Sequence, residues 1–392
     1  MSMNGAHRER VVVAMSGGVD SAVTAALLAR RGYEVIGVTM RLFSTPEARA
    51  GRLSKSCCSI EDVEDARAVC RAIGAQHYYL NFEKEFRQHV IGYFVSEYER
   101  GRTPHPCLAC NDRLKFHFLM QRAELMDAAL VATGHYARVV SAGGVYRLLR
   151  AADPGKDQSY VLYALKQPQL ARLLLPVGDF TKAQVRESAR EMGLSVADKP
   201  DSQDICFVPD GDYREFISPR LRARNPGNIV DSSGRVLGSH DGIHGFTIGQ
   251  RKGLPLPGGA GRPLFVTALD PDSATVTVGP GEDLMRREFF ASAVNWISGE
   301  TQEGPVVVTA RIRYRGAEDT ARVTPLAPAP SGEKWARIEF ERPQRAVTPG
   351  QAVVFYRGDE ALGGGFIELA QAGRPAAAST GEVETPAAAA LA

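Results

Sequence analysis

The stretch Arg10-Val-Val-Val-Ala-Met-Ser-Gly-Gly-Val-Asp-Ser21 decides the fold of this chain. Its first half is an apolar strand, and the residues that follow, Ser21–Arg31, have the composition of a helix. The two glycines between strand and helix let the backbone approach a ligand closely. Ser16 and Ser21 add hydroxyl donors, and the first amides of a helix attract anions. The stretch therefore predicts a phosphate-binding turn between a strand and a helix of an α/β sheet.

Strands and helices alternate over residues 10–200. The sequence marks several helix ends, such as the capping box Thr181-Lys-Ala-Gln184 that opens a helix and Gly193 that ends it. This alternation predicts a parallel sheet with helices on both faces. The predicted strands are Arg10–Met15, Glu34–Phe43, His77–Phe82 and Ala128–Thr133, and the other predicted helices are Ser21–Arg31, Ile60–Ile73 with Ser59 as N-cap, and Glu83–Arg100.

The composition changes after about Asp210, where glycine and proline become frequent and helical periodicity fades. Short alternating segments follow at Val306–Tyr314, Trp335–Glu341, Ala352–Arg357 and Gly365–Leu369. They predict a C-terminal antiparallel β-barrel after a small central domain, behind an N-terminal Rossmann-like domain with a parallel sheet. The expected divisions are a flexible N-terminus at 1–9, the N-terminal domain at 10–210, the central domain at 211–285, the barrel at 286–370 and a disordered Ala/Pro-rich tail at 371–392.

Composition limits what the chain can do. The 392 residues carry a formal net charge of +2, so a nucleic-acid surface must be a local patch. No stretch reaches the roughly 20 apolar residues of a membrane helix. The first nine residues lack the apolar core of a signal peptide, so we expect a cytoplasmic protein that does not contact membranes. In that reducing compartment, six cysteines do not indicate a disulfide framework.

The glycine-rich turn fits neither common nucleotide fingerprint. It lacks the lysine of a Walker loop, and no GxGxxG is present. A generic Gly-rich turn of an α/β fold is the alternative, but SGGVDS after a VVVAM strand is a narrower pattern. It resembles the PP-loop of ATP pyrophosphatases, which adenylate a substrate oxygen and release pyrophosphate. The resemblance implies that Ala14, Met15, Ser16, Gly17, Gly18, Val19, Asp20 and Ser21 bind ATP, with Asp20 helping to hold Mg²⁺ through its hard oxygen atoms.

The cysteines fall into distinct sequence settings. Cys107-Leu-Ala-Cys110 lies in a Pro-rich loop that we expect to enter a helix at about Arg113, and Cys206 follows another Pro-Asp turn. A CxxC pair is ambiguous between zinc, iron–sulfur and redox roles, and a zinc site would commonly need a second such pair. We expect Cys110 and Cys206 to be exposed in polar surroundings, with the start of a helix favouring thiolate at Cys110.

The remaining cysteines have a more structural character. Cys70 occupies an apolar helical position and should be buried and inert. Cys57 and Cys58 are adjacent, so their side chains diverge and a joint ligand role is disfavoured. A structural role is therefore the expectation for this pair, with a chemical role left open.

One basic run suits RNA. If Arg311-Ile-Arg-Tyr-Arg315 is a strand, its three arginines project from one face and match phosphates spaced along a nucleic acid. A solvated face of the barrel is the alternative.

Three blocks in fixed order carry a family resemblance: the PP-loop, Thr103-Pro-His-Pro-Cys-Leu-Ala-Cys-Asn111 and Asp201-Ser-Gln-Asp-Ile-Cys-Phe207. With them the chain resembles the bacterial tRNA-specific 2-thiouridylases from about residue 10 to 370. The resemblance implies that Cys110 is the nucleophile, that Cys206 carries a persulfide, and that the two end the reaction as a disulfide. Many members have Asn-Pro-Asp where this chain has His105, Pro106 and Cys107, a segment that contacts the target base. Cys107 in place of an acid opens the alternative of an iron–sulfur cluster on Cys107, Cys110 and Cys206.

Single positions extend this resemblance. It implies that Met40 and Gly134 contact ATP, and that further residues contact tRNA. These are His135, Lys156, Asp157, Gln158, Arg313, Tyr314 and Gln351.

The resemblance implies an enzyme for the ATP-dependent 2-thiolation of the wobble uridine of tRNA. The base would be adenylated and sulfur would come from a protein persulfide, with release of AMP and pyrophosphate. Its partners would be tRNA, a sulfur donor protein (a cysteine desulfurase or a sulfur carrier) and a cellular reductant. The alternatives are a PP-loop ligase or amidotransferase of the argininosuccinate or asparagine synthetase type, and a non-catalytic RNA-binding protein with a degenerate loop. The intact loop and both cysteine blocks argue against the last of these.

Overall fold

A computed structural model of the chain describes residues 8–43, 60–201, 205–208, 212–222, 224–256 and 262–369. The expectations for residues 1–7, for Ser59, for Cys57 and Cys58 and for the tail at 371–392 lie outside the described residues. Within the described ranges, no helix is both long enough and apolar enough to cross a membrane.

The N-terminal part is built on a five-stranded parallel sheet in the order β3-β2-β1-β4-β7. The three valines of the central strand β1 are fully buried, because helices cover both faces of the sheet. The predicted parallel sheet is confirmed, with most strand ends within two residues of the predictions. The strands of this part are β1 (Arg10–Ala14), β2 (Glu34–Arg41), β3 (Gln76–Asn81), β4 (Leu130–Ala132), β5 (Ala137–Ala142), β6 (Val145–Arg150) and β7 (Leu173–Leu174).

Helices connect these strands. The predicted capping box is present, because Thr181 N donates to Gln184 Oε1 at 2.8 Å and Gln184 N donates to Thr181 Oγ1 at 3.3 Å. The helices are α1 (Val19–Arg30), α2 (Ile60–Ala72), α3 (Glu83–Phe86), α4 (Gly92–Glu99), α5 (Pro106–Ala109), α6 (Leu119–Glu124), α7 (Gln167–Leu170) and α8 (Lys182–Glu191), with π-helical turns at Arg87–Ile91 between α3 and α4 and at Cys110–Phe118 between α5 and α6.

The helix that carries the CxxC pair begins earlier than predicted. It runs through α5, the π-helical turn and α6, and we call it the cysteine helix (residues 106–124). The expectation of a loop up to about Arg113 is wrong, because Pro106 is the first residue of the helix. A proline suits that position since its missing N–H would have no partner within the helix. Cys107 and Cys110 are therefore helical residues.

The central domain is a small four-stranded sheet in the order β10-β11-β8-β9. Its core contains the fully buried Ile229, Val266 and Val276. A short helix precedes the sheet. The elements are α9 (Tyr213–Ile217), β8 (Gly227–Val230), β9 (Val236–His240), β10 (Phe265–Asp270) and β11 (Thr275–Gly279).

The C-terminal strands close into an antiparallel barrel, as predicted. Their order is β12-β15-β14-β13-β16-β17, and the ring closes because the long β12 pairs with β15 at its start and with β17 at its end. The strands are β12 (Met285–Trp296), β13 (Val306–Arg311), β14 (Asp319–Leu326), β15 (Trp335–Arg345), β16 (Ala352–Arg357) and β17 (Glu360–Glu368). The predicted strand at Ala352–Arg357 is confirmed residue for residue.

The hairpin β5–β6 of the N-terminal part continues the barrel sheet. Leu148 and Leu149 pair with Ala361 and Glu360 of β17, so the sheet contains eight strands. Gly364 of β17 allows the close packing nearby, because a Cβ there would lie 2.8 Å from the ring of Tyr163. The N-terminal part and the barrel therefore share one sheet, which the sequence did not predict.

The predicted basic ladder is wrong. Strand β13 ends at Arg311, and the chain then turns, with Gly316 N donating to Arg313 O at 3.0 Å. Arg311 forms an ion pair with Glu318 at 2.6 Å, whereas Arg313 donates to the carbonyl of Ala346 at 2.8 Å. These arginines therefore do not project together from one face of a strand.

Candidate active site

The phosphate loop lies at the carboxyl end of β1, where Gly18 is the N-cap of α1. Gly17 adopts φ +73°, and a Cβ there would lie 2.4 Å from the carbonyl oxygen of Asp62, so only glycine fits. The hydroxyl of Ser21 accepts from Ser16 N at 3.2 Å and donates to Gly18 O at 3.0 Å. These contacts fix the conformation of the loop at the N-terminus of α1. The free backbone amides of a helix N-terminus favour the binding of an anion.

Two other predicted ATP contacts lie beside this loop. Gly134 follows β4, and a Cβ there would lie 2.8 Å from the backbone nitrogen of Ser21. The backbone after β4 thus approaches the first turn of α1 as closely as glycine permits. Met40 lies near the end of β2, the neighbour of β1, and is buried. The structure therefore brings the predicted loop and Gly134 together at one edge of the sheet.

Asp20 is held by side chains from two other segments. Both of its carboxylate oxygens accept from Lys182 Nζ at 2.8 Å, and Oδ1 also accepts from the Tyr136 hydroxyl at 2.6 Å. The lysine is the first residue of α8, which packs beside α1. An acid in the phosphate loop is thus fixed by a cation and a phenol from two other segments.

Asp201 extends this network. Lys182 Nζ lies 2.9 Å from Asp201 Oδ1, and Lys156 Nζ lies 2.8 Å from Oδ2. Arg186 Nη2 lies 2.9 Å from the same carboxylate. Burial alone would raise the pKa of Asp201, but the hydrogen bonds from Lys156 and Lys182 lower it to about 2. The carboxylate is therefore ionised at neutral pH, and three cations lie beside the phosphate loop.

The cysteines of the segments 103–111 and 201–207 all contact the same hydrophobic cluster. Cys110 is only 9% exposed and belongs to the core cluster that also contains Met40 and Phe207. Cys107 and Cys206 are half-buried and pack against this cluster. The expected exposed setting is therefore wrong for Cys110, because the early start of the cysteine helix turns that residue inward.

Cys70 is buried, as expected. It is fully buried, and burial raises the pKa of its thiol to about 11. A thiol with that pKa is protonated at neutral pH, and a protonated thiol is a poor nucleophile.

Aromatic rings surround the segment predicted to contact the target base. The His105 ring lies 6.1 Å from Tyr314 and 6.2 Å from Tyr160, measured between ring centroids. Burial lowers the pKa of His105, so its imidazole is neutral at neutral pH. His105 Nδ1 is buried and has no hydrogen-bond partner among the described residues. An unused polar atom within an aromatic group can receive the edge of a base.

Several predicted tRNA contacts have partners inside the protein. Asp157 is buried and accepts from Ala151 N at 3.1 Å and from the Ser159 hydroxyl at 2.9 Å. Gln158 Oε1 accepts from Tyr136 N at 2.9 Å. Their internal contacts hold the chain beside the phosphate loop, and their contacts with tRNA stay predictions.

His135 and Gln351 are also placed by internal hydrogen bonds. His135 is buried, its Nδ1 lies 2.8 Å from Thr133 Oγ1, and burial holds the pKa of its imidazole well below the usual value. Gln351 Nε2 donates to Thr103 O at 2.7 Å, which ties the barrel to the segment before the cysteine helix. The structure thus brings His105 and Tyr314 near one another, and it places His135 and Gln351 in supporting positions.

The sequence reasoning missed Lys182 and Tyr136 as partners of Asp20. One signal was available for the lysine. A positive side chain at the first position of a helix opposes the helix dipole, so its presence there indicates another role.

The three cysteines proposed as iron–sulfur ligands are not assembled as a metal site. Over the described ranges, no group of three or more His, Cys, Asp or Glu side chains lies close enough to hold a metal ion.

Comparison with known proteins gives matches along most of the chain. Three family profiles match in order, namely the tRNA methyl transferase HUP domain at 9–210, the tRNA methyl transferase PRC-barrel domain at 214–280 and the aminomethyltransferase beta-barrel domain at 286–367. The tRNA-specific 2-thiouridylase MnmA of Moorella thermoacetica is 51% identical over 362 residues, covering 91% of this chain and 99% of that protein. The enzyme of the same name from Carboxydothermus hydrogenoformans is 49% identical over 364 residues, covering 92% and 98%.

One solved structure, a 4-thiouridine synthetase–RNA complex with bound ATP, has a TM-score of 0.36 and 19% identity, covering 54% of this chain and 50% of that one. The sheet, its loop and the first matched domain define a HUP-domain protein with a PP-loop. The chain belongs to the tRNA-specific 2-thiouridylase family, and it is an enzyme of that family.

Proposed function

We propose that the protein catalyses the ATP-dependent 2-thiolation of the wobble uridine of tRNA. The relatives are named for tRNA-specific 2-thiouridylation, and they align with more than nine-tenths of this chain. One observation carries the proposal. The chain combines a phosphate loop that requires glycine at position 17 with two cysteines, Cys110 and Cys206, that pack in the same hydrophobic cluster. A ligase of the argininosuccinate or asparagine synthetase type needs the loop but not the cysteines.

The first step would be adenylation. Uridine O2 attacks the α-phosphate of ATP, which gives a base bonded to AMP through that oxygen and releases pyrophosphate. The amides at the start of α1 and the hydroxyls of Ser16 and Ser21 would hold the phosphates, which suits a reaction that depends on positioning and on charge stabilisation. Asp20 has the hard oxygen donors that Mg²⁺ prefers, and the metal would neutralise phosphate charge there. Lys182 keeps Asp20 oriented toward the loop.

The second step would be sulfur transfer. Cys206 carries the sulfur as a persulfide, which can react in two ways. In the direct route, the outer sulfur attacks carbon 2, AMP leaves with the former uridine oxygen, and the Cys110 thiolate then attacks the inner sulfur of Cys206 to release the thiolated base. In the other route, Cys206 gives up its outer sulfur first. In the latter case, the Cys110 thiolate attacks the inner sulfur of Cys206, and hydrosulfide leaves. Hydrosulfide then attacks carbon 2, and AMP leaves with the former uridine oxygen. The two cysteines are left as a disulfide, which a dithiol reductant must return to two thiols.

An iron–sulfur cluster on Cys107, Cys110 and Cys206 is the other route for sulfur. The persulfide route is favoured here because these side chains are not grouped for a metal among the described residues. Anaerobic reconstitution followed by iron and sulfide analysis distinguishes the two. Stoichiometric iron that disappears in Cys107→Ser would favour the cluster.

The expected partners are tRNA, a persulfide-bearing sulfur donor protein and a reductant. The protein would act in the cytoplasm, since a reaction that ends on a disulfide needs a reducing compartment to turn over. The deciding experiment supplies the purified protein with tRNA, ATP and a persulfide donor, and measures 2-thiouridine by nucleoside mass spectrometry. Pyrophosphate release is followed in parallel. Release that does not depend on tRNA, or the absence of 2-thiouridine, would contradict the proposal.

A further inference from the structure

Four basic side chains gather on the central domain, outside every motif that carries the family resemblance. Arg224, Arg251 and Lys252 are exposed, and Arg214 is half-buried. A Cβ placed on Gly253 would lie 3.9 Å from Arg214 Nη1, which puts the loop of Arg251 and Lys252 against Arg214. Together these four residues, Arg214, Arg224, Arg251 and Lys252, form what we call the basic surface.

His244 lies within range of the charges of two of these groups. Burial is the main cause that lowers the pKa of its imidazole, and the positive charges of Arg224 and Arg214 lower it further. The charges of both guanidinium groups therefore act on the same ring. The residues of the basic surface come from α9, from the segment before β8 and from the loop before β10, and the fold of the central domain brings them together.

Among the described residues, no carboxylate neutralises the basic surface. Over the described part of the chain, none of its four residues forms an ion pair, whereas Arg150 and Arg311 of the barrel junction both pair with Glu318. The carboxylate of Asp212, close along the chain to Arg214, caps α9, since Asp212 Oδ1 accepts from Arg214 N at 2.9 Å. Arg214 Nε is buried without a hydrogen-bond partner among the described groups. Clustered cations without counter-charges indicate an anionic ligand.

The loop that carries Arg251 and Lys252 is fixed by hydrogen bonds. Gln250 N donates to Thr247 O at 2.9 Å, and Thr247 N donates to Gln250 Oε1 at 3.1 Å. The side-chain Nε2 of Gln250 also donates to Lys252 O at 3.1 Å. Because the backbone is held before any ligand arrives, little ordering entropy is lost on binding.

This loop also contacts the segment that leads into the cysteine helix. Thr103 Oγ1 donates to Thr247 Oγ1 at 3.4 Å, two residues before His105. Gly101 packs against Ile243 and Leu269, since a Cβ there would lie 3.3 Å from each of their side chains. The central domain is therefore joined to the base-contacting segment, and a ligand that reaches one is near the other.

We propose that the basic surface binds the phosphate backbone of the tRNA whose target uridine is presented at the cysteine helix. This inference rests on the proposed function and adds a contact surface to it. Phosphate contacts fix the register and orientation of a nucleic acid without reading its sequence. Since the net charge of the whole chain is only +2, such a local patch must supply the attraction. RNA is favoured over an acidic protein because the patch adjoins the segment that receives the base.

The test compares the full chain with Arg251→Ala/Lys252→Ala. We expect weaker tRNA binding and a slope of log affinity against log salt that falls by about two units, roughly one for each lost phosphate contact. Arg30→Ala/Arg31→Ala is the matched control, because it also removes two positive charges. Both arginines lie at the C-terminal end of α1, remote from the phosphate loop. Arg224→Ala, a single exposed change, should lower the slope by about one unit.

The outcomes separate this inference from the proposed function. If wild type thiolates tRNA and both variants keep the wild-type affinity and slope, the basic surface does not bind RNA and the proposed function stands. If the variants bind tRNA normally but lose thiolation only when sulfur comes from a protein donor rather than from inorganic sulfide, the surface binds that donor and the inference is overturned. If wild type neither binds nor thiolates tRNA, both fail.

Discussion

Asp20 illustrates how distant groups set the chemistry of a residue. The sequence predicted its role because Asp20 belongs to the contiguous SGGVDS motif. It did not predict the contacts with Tyr136 and Lys182, which are 116 and 162 residues away along the chain. The Lys182 contact depends on how α8 docks beside α1, and the Tyr136 contact depends on the segment between β4 and β5. Both are tertiary contacts that local patterns do not encode. The same limit applies to His105, whose aromatic neighbours come from two other segments.

Replacing Lys182 tests the arrangement around Asp20. In Lys182→Ala, Asp20 and Asp201 lose their shared cation, and their carboxylates repel each other near the phosphate loop. We expect tRNA-dependent pyrophosphate release to fall by about a hundredfold, the size typical for losing one charge-stabilising donor. Lys182→Arg should restore part of the rate. The measurement is pyrophosphate release at saturating tRNA, with thermal unfolding as the folding control. A near-normal rate in Lys182→Ala would leave the lysine only a structural role.

Replacing Cys110 or Cys206 should abolish sulfur transfer without affecting adenylation. Cys110→Ser and Cys206→Ser remove the thiols without altering the phosphate loop, so we expect loss of 2-thiouridine with tRNA-dependent pyrophosphate release retained. Cys70→Ala is the matched control, since that thiol is buried with a pKa of about 11 and should not take part. Nucleoside mass spectrometry and a pyrophosphate assay on the same samples provide the measurement. Normal 2-thiouridine from either serine variant would remove that cysteine from the mechanism.

The cysteine helix shows where element prediction failed. The prolines at 104 and 106 indicated a loop, yet Pro106 begins the helix. The start is fixed from outside by Thr103 N, which donates to Pro349 O at 2.9 Å, and by the contact of Gln351 with Thr103. Both partners belong to the barrel, more than 240 residues later. By contrast, α8 was predicted correctly because its capping box is local.

A buried ion network should stabilise this junction. Arg102 Nε lies 2.6 Å from Glu97 Oε2, and Arg102 Nη2 lies 2.9 Å from Glu368 Oε1. The side chains of both acids are less than a tenth exposed. Arg102→Met would leave the buried Glu368 without its cation and Glu97 with only the exposed Arg100 at 3.4 Å, so we expect urea unfolding at neutral pH to show a loss of about 3–5 kcal/mol.

The control for Arg102 lies two residues earlier. Arg100 pairs with the same Glu97 at 3.4 Å, but its side chain is 71% exposed. Arg100→Ala should therefore cost less than about 1 kcal/mol. Equal losses in the Arg100 and Arg102 variants would mean that burial of the network does not matter.

At the scale of the whole molecule, the sequence predicted the parallel sheet and the barrel but not the strand pairing that joins them. Periodicity and turn residues sufficed for a parallel sheet followed by a barrel. The pairing of β6 with β17 escaped prediction because its register joins residues more than 200 positions apart and involves only two residue pairs. Side chains reinforce that short pairing. Arg150 of β6 donates twice to Glu318, at 2.6 and 2.7 Å, and Arg311 of β13 donates to the same carboxylate at 2.6 Å.

Glu318 should make the stability of the contact between the N-terminal part and the barrel depend on pH. Burial would raise the pKa of Glu318, but hydrogen bonds from Arg150 and Arg311 lower it overall. A carboxyl group with a lowered folded-state pKa stabilises the fold above its unfolded pKa of roughly 4.3, and this stability is lost as pH falls through the folded value. Glu318→Gln should therefore destabilise the protein in urea unfolding at neutral pH, and this deficit should shrink at a pH below the unfolded pKa. Glu339→Gln, an exposed change on β15, is the control, and an equal deficit of Glu318→Gln at both pH values would contradict the assignment.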